Sequence, residues 1–402
     1  MKKAFLLAIP LLISGCAAEN DLAPVVERNH SRHRISEARA VKKAENMLQQ
    51  ISESKQTRSS MPEAKISYMT TPRTRSTSEE VLPDTLLYII NFGDSEGFAV
   101  VSTDNRTRPI YAISDEGSID LSDTTYNKGL KSFFDGVKID YSSSIAVWPG
   151  DSVMPGLGSG DDYELSPYVF CTDIIYPMIP KPVRKWNQKK PFNSSLRPTE
   201  STDNPAVGCG AVGTGMIMTY FKHPQKYYGI PMDWNAITGE DYTNKAIADF
   251  LCELGKPHNL NMQYGWESSC ALERIPITFN NYDYVNPVNY KIFNTEKAFI
   301  ALESSPILLA ATTSPLGLDY IPGHIWAVDG RVNYSELVTQ LDPPTKLFHC
   351  VWGWGGIANG YFFFNGGFDS TNPEFRDFDD AGGKGDLNFN GNTYYWGPFQ
   401  KK

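Results

Sequence analysis

The sequence predicts an α+β protein of two units, and three observations carry that expectation. A chain of 402 residues that is 41 % hydrophobic and 12 % aromatic can build large cores, and at about 150 residues per domain it has room for two or three. The apolar runs "LLYIINF" and "GFAVVSTD", separated by "GDSE", read as a hairpin in the N-terminal part. In the C-terminal part a helix-like stretch, "CGAVGTGMIMTYF", precedes the strand-like runs "PILLAAT", "GHIWAVDG", "LFHCVWGW" and "GYFFFN". Helices first and strands later indicate α+β layering rather than alternating βαβ units.

Lys2 and Lys3, followed by the apolar run Ala4 to Ile13, form an export signal too short to remain as a membrane-spanning helix. The run ends in Ile13-Ser14-Gly15-Cys16, which resembles a bacterial lipobox and marks Cys16 for lipidation, the alternative being an ordinary secretory signal. Two or more acyl chains there would anchor the chain stably. The remainder is therefore expected outside the cytoplasm, tethered to a bacterial membrane (the outer one first in line) or released after processing. Residues 17 to about 33 read as a polar tether, and Ile35 to Ile51 as an amphipathic helix. Gln56 to Glu80, rich in Ser, Thr, Arg and Pro, reads as a loop or linker. "PIYAIS" adds a strand, "NKGLKSFFDGVKIDY" a helix, and the first unit ends near residue 143. Residues 144–183, with their prolines, suit an exposed connection.

A net charge of −9 and a pI near 5.3 argue against a nucleic-acid partner. Setting Cys16 aside leaves Cys171, Cys209, Cys252, Cys270 and Cys350, an odd number for an exported chain. None lies in a CxxC pair or a Cys/His cluster, so no metal site is expected. In the tail "NGGFDSTNPEFRDFDDAGGKGDLNFNGN", Asp377, Asp379 and Gly382 lack the glutamate that would complete a calcium loop, and a loop reading is preferred.

Cys209 opens the glycine-rich helical stretch. A helix N-terminus lowers a thiol pKa and favours the nucleophilic thiolate. The same stretch equally suits an inert core cysteine, with Gly210, Gly213 and Gly215 allowing close packing, although each glycine costs up to about 1 kcal/mol in a helix. Of the histidines, His30 and His33 fall in the tether, while His223 and His258 sit beside prolines in surface settings. His324 follows a glycine and heads a strand whose alternation puts His324, Trp326 and Val328 on one face. His349, in the next strand, is its rival.

Three separated motifs resemble those of the streptopain family of papain-like cysteine peptidases: "VGCGAVGTGMIMTYFKHP", "PGHIWAVDG" and "HCVWGWGGIANGYF". A shorter match, "WNQKKPFN", is similar to the family's glutamine segment, and "GFAVVSTDNRTRPIYAIS" resembles its pro-domain. The resemblance implies a papain-like catalytic domain over 161–402 behind a small α+β pro-domain over 17–160, with 1–16 as lipoprotein signal. It implies a cysteine endopeptidase made as a zymogen, with Cys209 as nucleophile, His324 as general base and acid, and Gln188 as oxyanion donor. Trp352 and Trp354 would shield the pair. Its partners would be protein or peptide substrates and its own pro-domain as inhibitor, and no cofactor is required.

The chain departs from the family pattern at Val351, where streptopain has an asparagine that orients the histidine. Val351 cannot hydrogen-bond through its side chain, so a backbone carbonyl, a water or another group must take that role. The alternatives are a catalytically weak or inactive relative serving as a surface binding protein, and an amidase or transferase acting on a non-protein amide. Lys181, Arg184 and Lys185 are candidate processing positions, along with others between about 145 and 185.

Overall fold

A computed structural model describes residues 33–52, 62–70, 83–125, 127–147, 168–285, 290–312, 323–336, 344–364 and 393–402. The expected signal peptide with Cys16, nearly all of the tether, and Asp377, Asp379 and Gly382 lie outside these residues.

Helix α1 (Glu37–Ile51) begins where the Ser36 side chain accepts from the Arg39 N–H, and it buries Ala40, Ala44, Met47, Leu48 and Ile51 at three-to-four spacing. Strands β1 (Ala64–Thr70), β2 (Thr85–Phe92), β3 (Phe98–Ser102) and β4 (Ile110–Ser114) follow as an antiparallel meander. The expected β2–β3 hairpin and the β4 strand are present. β1 was not expected, because its residues fall inside the stretch read as a loop. It is an edge strand, mostly exposed, so only a short Ala64-Ile66-Tyr68 alternation among polar flanks betrays it. Helix α2 (Lys128–Val147) completes the N-terminal unit.

The connection read as exposed contains strand β5 (Phe170–Ile175), which pairs with the distal half of β10. Helix α3 (Cys209–Phe221), the short hairpin β6–β7 (Lys226–Tyr227, Ile230–Pro231) and helices α4 (Trp234–Ile237), α5 (Lys245–Leu254) and α6 (Arg274–Asn281) come next. After β8 (Lys291–Ile292) and α7 (Thr295–Ala301), the chain turns to strands: β9 (Ile307–Thr312), β10 (Gly323–Ser335), β11 (Thr345–Val351), β12 (Gly360–Phe363) and β13 (Thr393–Trp396).

β12 pairs with β4, so the strands of both units join one eleven-stranded antiparallel sheet. Its order is β1-β2-β3-β4-β12-β11-β10-β9-β13-β8, with β5 against β10. The two faces of β10 supply two separate cores. Trp326 and Val328 pack with the N-terminal unit and α2, whereas Ile325 and Ala327 pack with α3. Charge pairs also cross between the units: Glu116 meets Lys181 at 3.2 Å and Arg184 at 3.3 Å, and Lys43 meets Glu336.

Buried over most of its surface, α3 depends on its glycines. A Cβ at Gly213 would lie 3.1 Å from Leu308 Cδ2, and one at Gly215 would lie 3.1–3.3 Å from Trp186, Leu251 and Leu254. These are close-packing positions, as the sequence implied. Gly136, on the open side of α2, has nothing within 4 Å. Gly215→Val should therefore destabilise the protein by about 1–3 kcal/mol through overpacking. Gly136→Ala should stabilise it by about 0.4–1 kcal/mol through helix propensity and unfolded-state entropy. Denaturant midpoints of the two variants should move in opposite directions.

Candidate active site

The approach to Cys209 is made of backbone that only glycine tolerates. Gly208 caps α3 with φ +87°, and a Cβ there would strike Met262 Cε at 2.1 Å and lie 3.1 Å from the Ser268 carbonyl. Cys209 is thereby set as the first residue of the helix, partly exposed. Burial pushes its thiol pKa up, while the N–H groups of Ile325, Gly210 and Cys209 itself, and the charge of Lys128, pull it back.

The glutamine segment is bound directly to this approach. The Gln188 carbonyl accepts from the Val207 N–H at 3.0 Å, two residues ahead of Cys209. Asn193 Nδ2 donates to the Pro205 carbonyl and to Asn204 Oδ1, both at 2.8 Å. The Gln188 side chain is buried, and its Nε2 has no hydrogen-bond partner among the described residues. A buried amide donor left open is available to an oxygen of a bound ligand.

His324 heads β10 on the face of Trp326, and it is buried. Its Nε2 lies 2.9 Å from the Trp352 carbonyl oxygen. A carbonyl can only accept, so Nε2 carries the hydrogen and Nδ1 the lone pair. That carbonyl makes a hydrogen bond that the Val351 side chain cannot, and Val351 is itself fully buried in the α3 core and paired with Ala327. The imidazole stacks on Trp326 and Trp354, with centroids 6.0 and 6.2 Å away. Burial lowers its pKa to about 4; the Trp352 hydrogen bond opposes this and the Lys128 charge adds to it. Among the described residues no hydrogen bond joins His324 to Cys209. The pair is therefore neutral and uncoupled in this state.

The N-terminus of α2 lies over His324. A Cβ on Gly129 would come within 2.4 Å of the Trp352 ring and 3.0 Å of His324 Cδ2. Glycine in the first turn of a helix is the one sequence signal for this contact, and sequence reasoning missed it. It also missed the part played by Asn359. Asn359 accepts from the Trp352 N–H at 3.1 Å and donates to the Arg184 carbonyl at 2.9 Å, locking the tryptophan–glycine hairpin to the glutamine segment. Gly355 N–H donates to the Trp186 carbonyl at 2.9 Å in the same joint.

His349 is not at the site. Its Nδ1 contacts Asp329 Oδ1 at 2.6 Å, and Asp329 stands in a bulge of β10. There the Asp329 carboxylate accepts from the Ile179 N–H, and its carbonyl from the Met178 N–H, each at 2.9 Å. The buried pair pins the chain that leads to Gln188. Arg184, one of the candidate processing positions, is buried in the joint just described. Cys270 borders α3, its Sγ only 2.6 Å from where a Cβ on Gly210 would be. Among the described residues, no cluster of three or more His, Cys, Asp or Glu could hold a metal ion.

A thiol at a helix N-terminus, a buried histidine held by a backbone carbonyl and a covering helix from the N-terminal unit are the arrangement expected of a papain-like thiol peptidase precursor. Residues 186–362 match the Peptidase C10 family, and residues 32–140 match the Spi protease inhibitor family. Residues 186–362 are thus a Peptidase C10 (streptopain-family) domain, preceded by an inhibitor-type pro-segment. It is similar to the thiol protease/hemagglutinin PrtT of Porphyromonas gingivalis, 23 % identical over 326 residues that cover 70 % of this chain and 34 % of that one. It thus spans about a third of PrtT. Streptopain of Streptococcus pyogenes is 21 % identical over 335 residues, 71 % of this chain and 75 % of streptopain. In fold the chain resembles a fragment of Prevotella intermedia prointerpain A, with a TM-score of 0.50 at 15 % identity over 83 % of this chain and 98 % of the fragment.

The buried histidine makes the closed form acid-sensitive. His324 stays neutral down to about pH 4 when covered, whereas an exposed imidazole titrates near 6.5. Between those values the open or unfolded chain binds one more proton, so the closed form loses stability as pH falls, by up to roughly 3 kcal/mol. The denaturant midpoint should drop more between pH 7 and pH 4.5 in the wild type than in His324→Gln. Equal drops would contradict this.

Proposed function

We propose that the chain is the precursor of an exported cysteine endopeptidase acting through Cys209 and His324, with Gln188 in the oxyanion hole. The observation that carries this reading is the open, buried Nε2 of Gln188, tethered through Val207 to the approach of Cys209. Once α2 withdraws, His324 Nδ1 takes the thiol proton. The thiolate then attacks the scissile carbonyl, and the oxyanion receives Gln188 Nε2 and the Cys209 N–H. His324 returns the proton to the leaving amine, and a water activated by the same nitrogen releases the acyl group. The Trp352 carbonyl holds the imidazole throughout, and Trp354 and Trp326 keep solvent from its faces.

Latency follows from α2. With Gly129 against His324 and Trp352, the imidazole is held dry and without a hydrogen bond to Cys209, and the 17–160 region acts as intramolecular inhibitor. Arg184 is an unsuitable processing position because cleavage there would break the joint that holds Gln188. The export signal and Cys16 make the precursor a lipid-anchored protein outside the cytoplasm, on the outer membrane or freed from it by maturation.

After maturation, Cys209→Ala should abolish peptide hydrolysis, and Gln188→Ala should lower kcat by about 10²–10³-fold. Full activity in Cys209→Ala would overturn the proposal. A surface binding protein, favoured only by Val351, would fail to react at Cys209 with a peptidyl epoxide. Labelling with a radioactive fatty acid should be lost in Cys16→Ala, and labelling that persists would contradict the anchor.

A further inference from the structure

The lip of the cleft beside Cys209 is a fixed loop that carries one acidic side chain. Ser268 is buried; its hydroxyl donates to the Ala206 carbonyl at 2.6 Å and accepts from the Gly265 N–H at 3.1 Å. The Ala206 N–H donates in turn to the Gly265 carbonyl at 3.1 Å. These bonds clamp residues 265–268 to the chain three residues ahead of Cys209, and Gly208 packs against the same loop. On its outer side Lys189, next to Gln188, donates to the Trp266 carbonyl at 2.9 Å and lies 4.7 Å from the Trp266 ring centroid. Lys189 is thus committed to Trp266. Glu267, 64 % exposed, has a different cation as its partner: Lys128 of α2, whose Nζ lies 2.5 Å from Oε2.

Lys128 is the residue before Gly129. One step of backbone therefore links the group that covers His324 to a lysine whose ammonium is seated on the lip. The Lys128 charge is near enough to act on both Cys209 and His324. Withdrawal of α2 uncovers the imidazole and leaves the Glu267 carboxylate without its cation in the same movement.

We infer that Glu267 is a specificity determinant: it forms a subsite for a basic side chain, filled by Lys128 in the precursor and by a lysine or arginine of the peptide substrate in the mature enzyme. This rests on the peptidase reading. Because the carboxylate is more than half exposed, the selectivity is modest, about fivefold at low ionic strength, and salt screens it.

The test uses enzyme matured from the full-length chain and a peptide library varied one position at a time. Lysine or arginine should be preferred about fivefold over glutamine at one position in kcat/KM. That preference should vanish in Glu267→Gln and turn toward glutamate in Glu267→Lys, with hydrolysis of uncharged peptides unchanged. No basic preference at any position, or one that survives Glu267→Gln, would overturn the inference while leaving the peptidase reading intact. Should no peptide be cleaved and Cys209 resist a peptidyl epoxide, the peptidase reading itself fails. The subsite is then read without turnover. Fluorescence anisotropy on matured Cys209→Ala protein should show tighter binding of a lysine peptide than of its glutamine twin, lost on adding Glu267→Gln; equal binding of the twins would overturn the inference there too.

Discussion

Strand β10 presents Trp326 and Val328 to the core shared with the N-terminal unit and Ile325 and Ala327 to the core around α3. This division of one strand between two apolar cores governs the arrangement around it. β10 is paired by β11 on one side and by β9 and then β5 on the other, so it cannot shift without breaking three ladders. His324, at its first turn into the sheet, is delivered to the face of Trp326, where α2 reaches it. Ile325, one residue on, faces α3, and its N–H is among the groups that draw the Cys209 thiol pKa back down. A period of two along a strand thus keeps the candidate base and the candidate nucleophile adjacent in space but served by different cores.

The neutrality of both groups has the same origin. A half-buried thiol and a buried imidazole each favour the uncharged form, because ionisation in a low-dielectric site loses hydration. Lys128 assists the thiolate and opposes the imidazolium, so it cannot by itself create an ion pair. Only readmission of water, or close approach of the two groups, raises the imidazole pKa and lowers the thiol's. The covering helix therefore controls charge as well as access, and Gly129 is the position where both meet.

Much of this was legible in the sequence because strong local signals coincide with long-range needs. The α3 glycines announced close packing, and the contacts at Gly213 and Gly215 give the atoms responsible. The strands from β9 to β12 read clearly because both faces are buried and their apolar runs are nearly continuous. β1 and β5 were missed because edge pairing stabilises strands whose own composition is polar or half-exposed. The orienting group for His324 was open at Val351, since a main-chain carbonyl leaves no trace in residue identity. The Asn359 joint, the Asp329–His349 pair and the Lys128–Glu267 contact link residues far apart in the chain, 175, 20 and 139 positions respectively. No local pattern marks such pairings.

The central claim, that α2 holds a latent Cys209–His324 pair neutral, is most directly tested by the pH dependence of Cys209 alkylation before and after removal of the pro-segment. Alkylation by iodoacetamide, located by peptide mass mapping to separate Cys209 from Cys270, reports the thiolate population. The account predicts slow alkylation of the precursor at neutral pH, rising only toward alkaline pH. After maturation it predicts fast alkylation extending well below pH 7, a shift that His324→Ala removes. Identical pH profiles for precursor and mature protein would contradict it.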